Sequence, residues 1–207
     1  MKISNPLFSA VLTVRGEYKQ AHQTVYFFKP LTMLFILSIA AFSQNSIWYP
    51  YKVWIVTGLC FSLMGDIFLM LRSDRFVHGL TSFLIAHIFY ILAFLTGFSP
   101  SFSSISLILP FAFGCAFYLY LYPGLGNFAV PVLVYTVVIL AMVWLAFSQW
   151  FYLSTEAGLF AMIGAGLFAL SDSILAFDRF KRPFKQARFL VLSTYFCAQW
   201  LLALSVT

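Results

Sequence analysis

Long uninterrupted runs of apolar residues make up most of the chain, and short polar or turn-forming breaks separate them. A membrane-spanning helix needs about 20 mostly apolar residues. Seven runs approach this length, at roughly 31–47, 52–71, 76–97, 103–121, 128–150, 157–177 and 187–206. Strands of a membrane barrel would instead alternate apolar and polar residues about ten at a time. The pattern therefore predicts an all-α polytopic bundle of about seven transmembrane spans.

Composition supports the membrane assignment. Hydrophobic residues make up 62% of the chain and charged residues 9%, whereas soluble domains carry about 25% charged residues. So few charges cannot cover a water-facing surface, and the mean hydropathy of +0.94 agrees. The sequence predicts an integral multi-pass membrane protein, located in the cell membrane if its host is a bacterium. The net charge of +6 is then explained by orientation in the membrane and does not indicate a nucleic-acid partner.

The distribution of basic residues predicts that orientation. With a cytoplasmic N-terminus and seven spans, eleven of the twelve lysines and arginines fall on the inner side, and Lys52 alone falls outside. This split is what the positive-inside rule requires. We therefore expect the N-terminus in the cytoplasm and the C-terminus outside.

The N-terminal segment is harder to place. The apolar stretch from Pro6 to Val14 is too short to span, and charged residues follow it directly. We interpret residues 1–28 as an interfacial segment on the cytoplasmic face and residues 29–207 as the transmembrane domain. If the segment inserts, the number of spans rises to eight.

Two strings in the chain resemble each other. Residues 61–76 read FSLMGDIFLMLRSDRF, and residues 168–180 read FALSDSILAFDRF. Each contains an aspartate, Asp66 or Asp172, in the inner half of a span that ends in Asp-Arg-Phe. Four spans separate the two aspartates, so both copies point the same way, which predicts an internal parallel repeat.

Asp66 and Asp172 are the main candidates for chemistry. Each lies roughly 8–10 Å inside the membrane by helix rise, and a carboxylate at that depth by default marks function. Small residues share their helix faces, Gly58 and Ser62 with Asp66 and Ala165 and Ala169 beside Asp172, and small residues let helices approach closely. We expect both side chains to face the bundle interior and to meet His87 at one cavity. The alternative is a structural carboxylate hydrogen-bonded across helices.

Other polar positions lie in the spans. His87 lies in mid-span and shares a face with Phe83, Tyr90 and Phe94; it is either a packed aromatic neighbour or a functional group. Tyr195 and Gln199, four residues apart, form either an interhelical hydrogen-bonded pair or part of a substrate pocket. Lys29 precedes Pro30 at the start of a predicted span, where it would snorkel to the interface or contact a phosphate.

The order of these motifs resembles the YhhN family of membrane proteins, which includes the lysoplasmalogenases. The resemblance rests on Lys29-Pro30, Gly65-Asp66, a G-x-x-x-F-x-x-x-H-x-x-Y string from Gly79 to Tyr90, and two later strings. Those strings are Phe168-x-x-Ser171-Asp172 and Tyr195-x-x-Ala198-Gln199. Many members of that family carry a full span before the Lys-Pro pair, and we interpret the segment here as a shortened or degraded form of it.

The resemblance implies hydrolysis of the vinyl ether bond of a lysoplasmalogen to a fatty aldehyde and a glycerophospho-base. The vinyl ether carbon must be protonated, water must add to the resulting oxocarbenium ion, and the hemiacetal must collapse. Glycoside hydrolases solve a related problem with two carboxylates in unlike environments. Asp66 and Asp172 fit this scheme, and His87 would orient water or shuttle a proton.

The same resemblance implies an amphiphilic lysophospholipid as the binding partner and requires no cofactor. We assign Lys29, Tyr90, Tyr195 and Gln199 to substrate binding, with Lys29 near the phosphate. Two alternatives stay open. The first is a metal-dependent lipid hydrolase with Asp66, Asp172 and His87 as zinc ligands, and the second is a lipid transporter or binding protein without chemistry.

Overall fold

The computed structural model describes residues 9–13, 22–44, 49–71, 75–97 and 104–207. These residues contain seven helices of at least 18 residues and no strand, which confirms the all-α polytopic bundle. The helices are α1 His22–Ala41, α2 Tyr49–Met70, α3 Phe76–Leu95, α4 Ser104–Leu125, α5 Ala129–Leu153, α6 Glu156–Phe180 and α7 Ala187–Leu204. A 3-10 turn, Gly126–Phe128, joins α4 to α5.

Five stretches of the described chain are long and apolar enough to cross a membrane, and Val25–Ala41 in α1 is a shorter apolar helix. One of the five, Pro110–Leu153, has 44 residues and contains most of α4 together with α5. A β-carbon at Gly114 would lie 2.2 Å from the side chain of Leu140. These two positions are equally far from the turn at residue 127, so the stretch folds back on itself as an antiparallel hairpin.

The boundaries of α1 differ from the prediction. The helix begins at His22 and ends at Ala41, so Lys29 and Pro30 lie inside it rather than at its start. Proline has no N–H to donate to the carbonyl of Tyr26, and such a position usually ends or begins a helix; here the helix continues through it. The boundary of residues 1–28 stays a prediction, since residues 1–8 and 14–21 lie outside the described part.

A short helical segment, residues 9–13, contacts α1. The hydroxyl oxygens of Ser9 and Thr32 lie 2.7 Å apart, and both side chains are buried. The segment therefore packs on the middle of α1 through polar contacts. Its placement at the cytoplasmic interface stays a prediction.

Helices that follow one another along the chain run in opposite directions. Contacts join the start of α1 to the end of α2 through Lys29 and Asp66, and the end of α6 to the start of α7 through Ser171 and Val191. The ends of α1 and α7 meet where Ser43 donates to the carbonyl of Val206. Consequently α2 and α6, which carry the two similar strings, point the same way, as the repeat predicts.

This alternation places the described basic residues of the helices and their connections at two ends of the bundle. Seven lie at or near the end formed by the starts of α1, α3, α5 and α7, which we call the basic end. They are Lys29, Arg75, Arg179, Lys181, Arg182, Lys185 and Arg188. Lys52 lies at the opposite end and donates to the carbonyl of Ser43 at 2.7 Å. The charge asymmetry read along the sequence is therefore present in the folded bundle.

Glycines allow several helices to approach closely. Of these glycines, Gly124 lies closest to the backbone of another helix. A β-carbon there would lie 2.0 Å from the carbonyl oxygen of Phe180. We expect Gly124→Ala to destabilise the protein by about 1–3 kcal/mol because α4 and α6 must separate to admit the methyl group. The thermal melting temperature of the purified protein in detergent measures this effect.

Gly166→Ala is the matched control for that substitution. Apart from its chain neighbours and the nearby backbone of its own helix, no atom of the described residues lies within 4 Å of a β-carbon built at Gly166, and alanine favours a helix over glycine. This variant should melt at or slightly above the temperature of the wild type. Equal melting of the two variants would contradict the close approach of α4 to α6.

Candidate active site

Asp66 is buried and its carboxylate is fully partnered. Asp66 is 1% exposed, and Ser62, one turn earlier on the same helix face, is 0% exposed. The small residues on this face predict that burial. Lys29 Nζ lies 2.8 Å from Oδ1, and Tyr195 Oη donates to Oδ2 at 2.7 Å. A buried charge requires such pairing and hydrogen bonding. Three helices, α1, α2 and α7, thus meet at one carboxylate.

Lys29 therefore points into the bundle. Its side chain is 11% exposed, so the snorkelling alternative is wrong: the ammonium group pairs with a buried carboxylate. Sequence reasoning placed Lys29 at a helix start, whereas α1 already extends seven residues before it and turns this position towards α2. Contact between Lys29 and a substrate phosphate stays a prediction.

Asp172 has a different environment on α6. Its side chain is 17% exposed, and Tyr135 Oη donates a short hydrogen bond to its Oδ2. His87 Nε2 lies 3.9 Å from the same oxygen. Among the described residues, no lysine or arginine forms an ion pair with this carboxyl group. The two aspartates thus differ in both exposure and partners.

His87 lies in an aromatic setting with no hydrogen bond to either ring nitrogen from the described residues. The residue is 0% exposed. Its ring centroid lies 4.6 Å from that of Phe168 and 5.2 Å from that of Tyr135. Leaving a buried polar group without a partner costs about 1–3 kcal/mol. Such a cost beside a carboxyl group favours a chemical role over simple packing.

Tyr195 and Gln199 both bond across helices, each to a different partner. Tyr195 donates to Asp66 on α2, and Gln199 Oε1 accepts from Tyr90 Oη on α3 at 2.9 Å. The hydroxyl of Ser62 lies 3.2 Å from that of Tyr90. The structure therefore contains the interhelical hydrogen bonds that were one of the two alternatives for Tyr195 and Gln199. Contact of these side chains with substrate stays a prediction.

Phe168 connects the two aspartate environments. Its ring packs edge-on against His87 at 4.6 Å and against Tyr195 at 5.5 Å. These two residues are the neighbours of Asp172 and Asp66, respectively. The structure therefore brings the three predicted catalytic side chains into one buried cluster.

A cavity of about 1440 Å³ lies between α2, α3, α4, α5 and α6. Its lining is mostly aliphatic and aromatic, with Asp172 and Tyr135 among its few polar members. We predicted that Asp66, Asp172 and His87 all face one cavity. Asp172 lines this cavity, but Asp66 and His87 do not. The reason is the position of Phe83, which lines the cavity and packs against Tyr195, the partner of Asp66.

Tyr135 is a functional candidate that sequence reasoning missed. It lies in the apolar run of α5, lines the cavity, donates to Asp172 and packs against His87. One signal was available in the sequence. Tyrosine in membrane helices prefers the interface, and a buried hydroxyl needs a hydrogen-bond partner, so a tyrosine inside a span indicates a polar neighbour.

The described residues contain no group of three or more His, Cys, Asp or Glu side chains that could hold a metal ion. Both carboxylate oxygens of Asp66 already have partners, Lys29 and Tyr195. The arrangement therefore does not supply the three-ligand set of the metal-dependent alternative.

Comparison with known proteins identifies the family. The model of the YhhN family matches residues 24–206. A protein named "Uncharacterized membrane protein YhhN" from Escherichia coli O157:H7 is 27% identical over 198 residues, which cover 96% of this chain and 94% of that protein. The protein named "Lysoplasmalogenase TMEM86A" from Bos taurus is 35% identical, covering 85% of this chain and 74% of the relative.

The human protein of the same name, "Lysoplasmalogenase TMEM86A", is 37% identical over 166 residues, which cover 76% of this chain and 66% of the relative. No solved structure gives a significant match. The family match covers nearly all of the described helices, including each member of the buried cluster. The chain therefore belongs to the YhhN family.

Proposed function

We propose that this protein is a lysoplasmalogenase, a hydrolase that cleaves the vinyl ether bond of a lysoplasmalogen. The products are a fatty aldehyde and a glycerophospho-base. The observation that carries the proposal is the carboxyl group of Asp172 on the wall of a large apolar cavity. An apolar cavity with a few convergent polar groups suits an amphiphile with one reactive polar bond. Relatives named lysoplasmalogenase support the same reaction.

Asp172 is the proposed general acid. It lines the cavity, so the vinyl ether carbon can approach it, and among the described residues it lacks a cationic ion-pair partner. Protonation of that carbon by Asp172 produces an oxocarbenium ion and leaves the carboxylate, whose negative charge stabilises the adjacent cation. Tyr135 holds the carboxyl group towards the cavity through its hydrogen bond.

His87 and Asp66 have supporting roles in this scheme. The Asp172 carboxylate accepts a proton from the water that adds to the cation, which restores the acid, and the hemiacetal then collapses to aldehyde and alcohol. His87, 3.9 Å from Asp172, does not line the cavity and acts on the carboxyl group and not on the water. Asp66 pairs with Lys29 and accepts a hydrogen bond from Tyr195. Its charge acts on the cluster electrostatically and not by contact with substrate. Two carboxylates in unlike environments are the arrangement that glycoside hydrolases use.

The direct test is incubation of the purified protein with a lysoplasmalogen, followed by measurement of fatty aldehyde and glycerophospho-base. The 1-acyl and saturated 1-alkyl lysophospholipids with the same headgroup serve as controls, because they differ only at the first bond of the chain. We expect aldehyde from the vinyl ether substrate and no cleavage of the saturated ether. Absence of aldehyde would contradict the proposal and favour a transporter or binding protein.

A chelator distinguishes this proposal from the metal-dependent alternative. The mechanism above uses side chains alone, so turnover should persist after treatment with a strong chelator and removal of the chelated metal. Loss of turnover that returns on addition of zinc would instead support metal chemistry.

We also propose that the basic end of the bundle lies in the cytoplasm. The concentration of basic residues at one end supports this orientation. A phosphatase or fluorescent reporter fused after Thr207 should then behave as an external reporter, because the end of α7 is opposite to the basic end. Cytoplasmic reporter activity at this site would overturn the orientation.

Tyr135→Phe tests the link between Tyr135 and Asp172. The substitution removes one hydroxyl and with it the hydrogen bond to the carboxyl group. A hydrogen bond to a charged or acidic group contributes about 1.5–3 kcal/mol, so we expect kcat to fall roughly 10–100-fold with KM little changed. Phe substitution at Tyr118, whose hydroxyl bonds the carbonyl of Ala129 away from the cluster, should leave kcat near that of the wild type.

A further inference from the structure

The cavity extends through the whole thickness of the bundle. Val132 and Tyr152 on α5 both line it, and the 20 residues between them correspond to about 30 Å of helix rise. This length equals the hydrocarbon thickness of a bilayer, about 30 Å. Phe113 and Phe151, which also line the cavity, are exposed, so its side is open to the surrounding lipid.

Asp172 divides the cavity unequally. From Asp172 to Phe180, the lining residue nearest the basic end on α6, the helix rises about 12 Å. In the other direction, from Tyr135 beside Asp172 to Tyr152 on α5, the rise is about 25 Å. One hydrocarbon chain of a lipid spans one leaflet, about 15 Å. A chain of this length therefore fits completely on the side away from the basic end.

The charges at the two ends agree with this direction. Arginines and lysines of the α6–α7 connection, Arg179 to Arg188, lie at the end that the short part of the cavity reaches. Basic side chains attract phosphate groups. The opposite part of the cavity has an aromatic and aliphatic wall that includes Pro110, Phe147 and Phe151, and none of the described residues that line it is charged.

We propose that the cavity holds the single hydrocarbon chain of a lysophospholipid, headgroup at the basic end, and that the bare backbone at Gly166 sets the longest chain accepted. This inference rests on the proposed function and deepens it. Gly166 lines the cavity six residues before Asp172 on α6, about 9 Å away along the helix. The chain must pass this point after leaving Asp172.

Gly166 can be filled without disturbing the fold. A β-carbon there meets no described atom within 4 Å beyond its chain neighbours and the nearby backbone of its own helix, so a larger side chain enters the cavity and not a packed interface. Ile163 provides a matched control on the same helix, since it is 40% exposed and is not among the cavity-lining residues. Phenylalanine at 166 should block the chain path, whereas phenylalanine at 163 should only face lipid.

The test compares wild type, Gly166→Phe, the milder Gly166→Leu and Ile163→Phe on two lysoplasmalogens. One carries a chain of full leaflet length, about 15 Å, and the other a chain about half as long. Exclusion of a few methylene groups is enough to lower kcat/KM at least about tenfold. We expect this loss for Gly166→Phe on the long chain alone, a smaller loss for Gly166→Leu, and no change of preference for Ile163→Phe.

Binding is measured separately with saturated 1-alkyl lysophospholipids of the same two lengths, by their stabilisation of the protein against heat. Gly166→Phe should lose stabilisation by the long analogue and keep that by the short one. If Gly166→Phe handles both lengths as the wild type does in both assays, the inference is overturned. If the wild type releases no aldehyde while binding still shows the length effect, the proposed reaction fails and the chain site stands.

Discussion

Asp172→Asn should reduce vinyl ether hydrolysis by about 10²–10⁴-fold, the usual contribution of a general acid. Asparagine keeps the size and polarity of the side chain, and its amide oxygen can still accept from Tyr135, so the folded structure should persist. What is lost is the acidic proton and the charge that follows its transfer. The measurement is kcat for aldehyde release, with the melting temperature recorded in parallel.

Two variants provide the comparison for Asp172→Asn. Asp178→Asn makes the same change on the same helix, at a carboxylate that accepts from the backbone N–H of Phe184, and should leave turnover nearly intact. His87→Gln removes the imidazole beside the Asp172 carboxyl group and should cost less than the loss of the acid. Near-normal turnover by Asp172→Asn would show that this carboxyl group has a structural role. His87 would then be the remaining candidate for acid–base chemistry.

Asp66→Asn should have the largest effect on stability. It leaves the ammonium group of Lys29 buried without its partner, and removal of one member of a buried ion pair costs about 3–5 kcal/mol. Lys29→Met should cost a similar amount for the opposite reason. Combining the two replaces the pair by an amide and an apolar chain, and much of the lost stability should return.

Unfolding of the three variants in detergent measures this coupling. A combined variant as unstable as either single one would show that the pair contributes in some other way than through compensation of charge. The combined variant also separates structure from chemistry. If it is stable but releases aldehyde far more slowly than the wild type, the charge of Asp66 contributes to catalysis as well as to packing.

Periodicity and hydropathy were sufficient for most of the fold. Six of the seven predicted spans agree with helices to within four residues at each end, because each apolar run ends at a turn-forming or charged break. The first predicted span, 31–47, is displaced from α1, His22–Ala41. The Lys29-Pro30 pair resembles a helix start, but α1 begins before it and continues through it. Local pattern does not reveal that a proline is accommodated inside a membrane helix.

The site could be predicted in part. The burial of Asp66 follows from Gly58 and Ser62 on its helix face, because small residues mark helix contacts. The partners of the two aspartates do not follow from sequence, since they depend on which helices become neighbours and on their rotation. Lys29 and Tyr135 approach the carboxyl groups from other helices, and neither lies near its aspartate in the sequence.

The buried pair of Lys29 and Asp66 has a consequence for biosynthesis. An isolated lysine or aspartate in an inserting helix costs up to about 2.5–3.5 kcal/mol, the value for the helix centre. Lys29 lies in a first helix whose apolar stretch is the shortest described, Val25–Ala41. Its charge is compensated only when Asp66 arrives on α2. The first two helices should therefore enter the membrane as one hairpin, and a nascent chain that stops before α2 should integrate poorly.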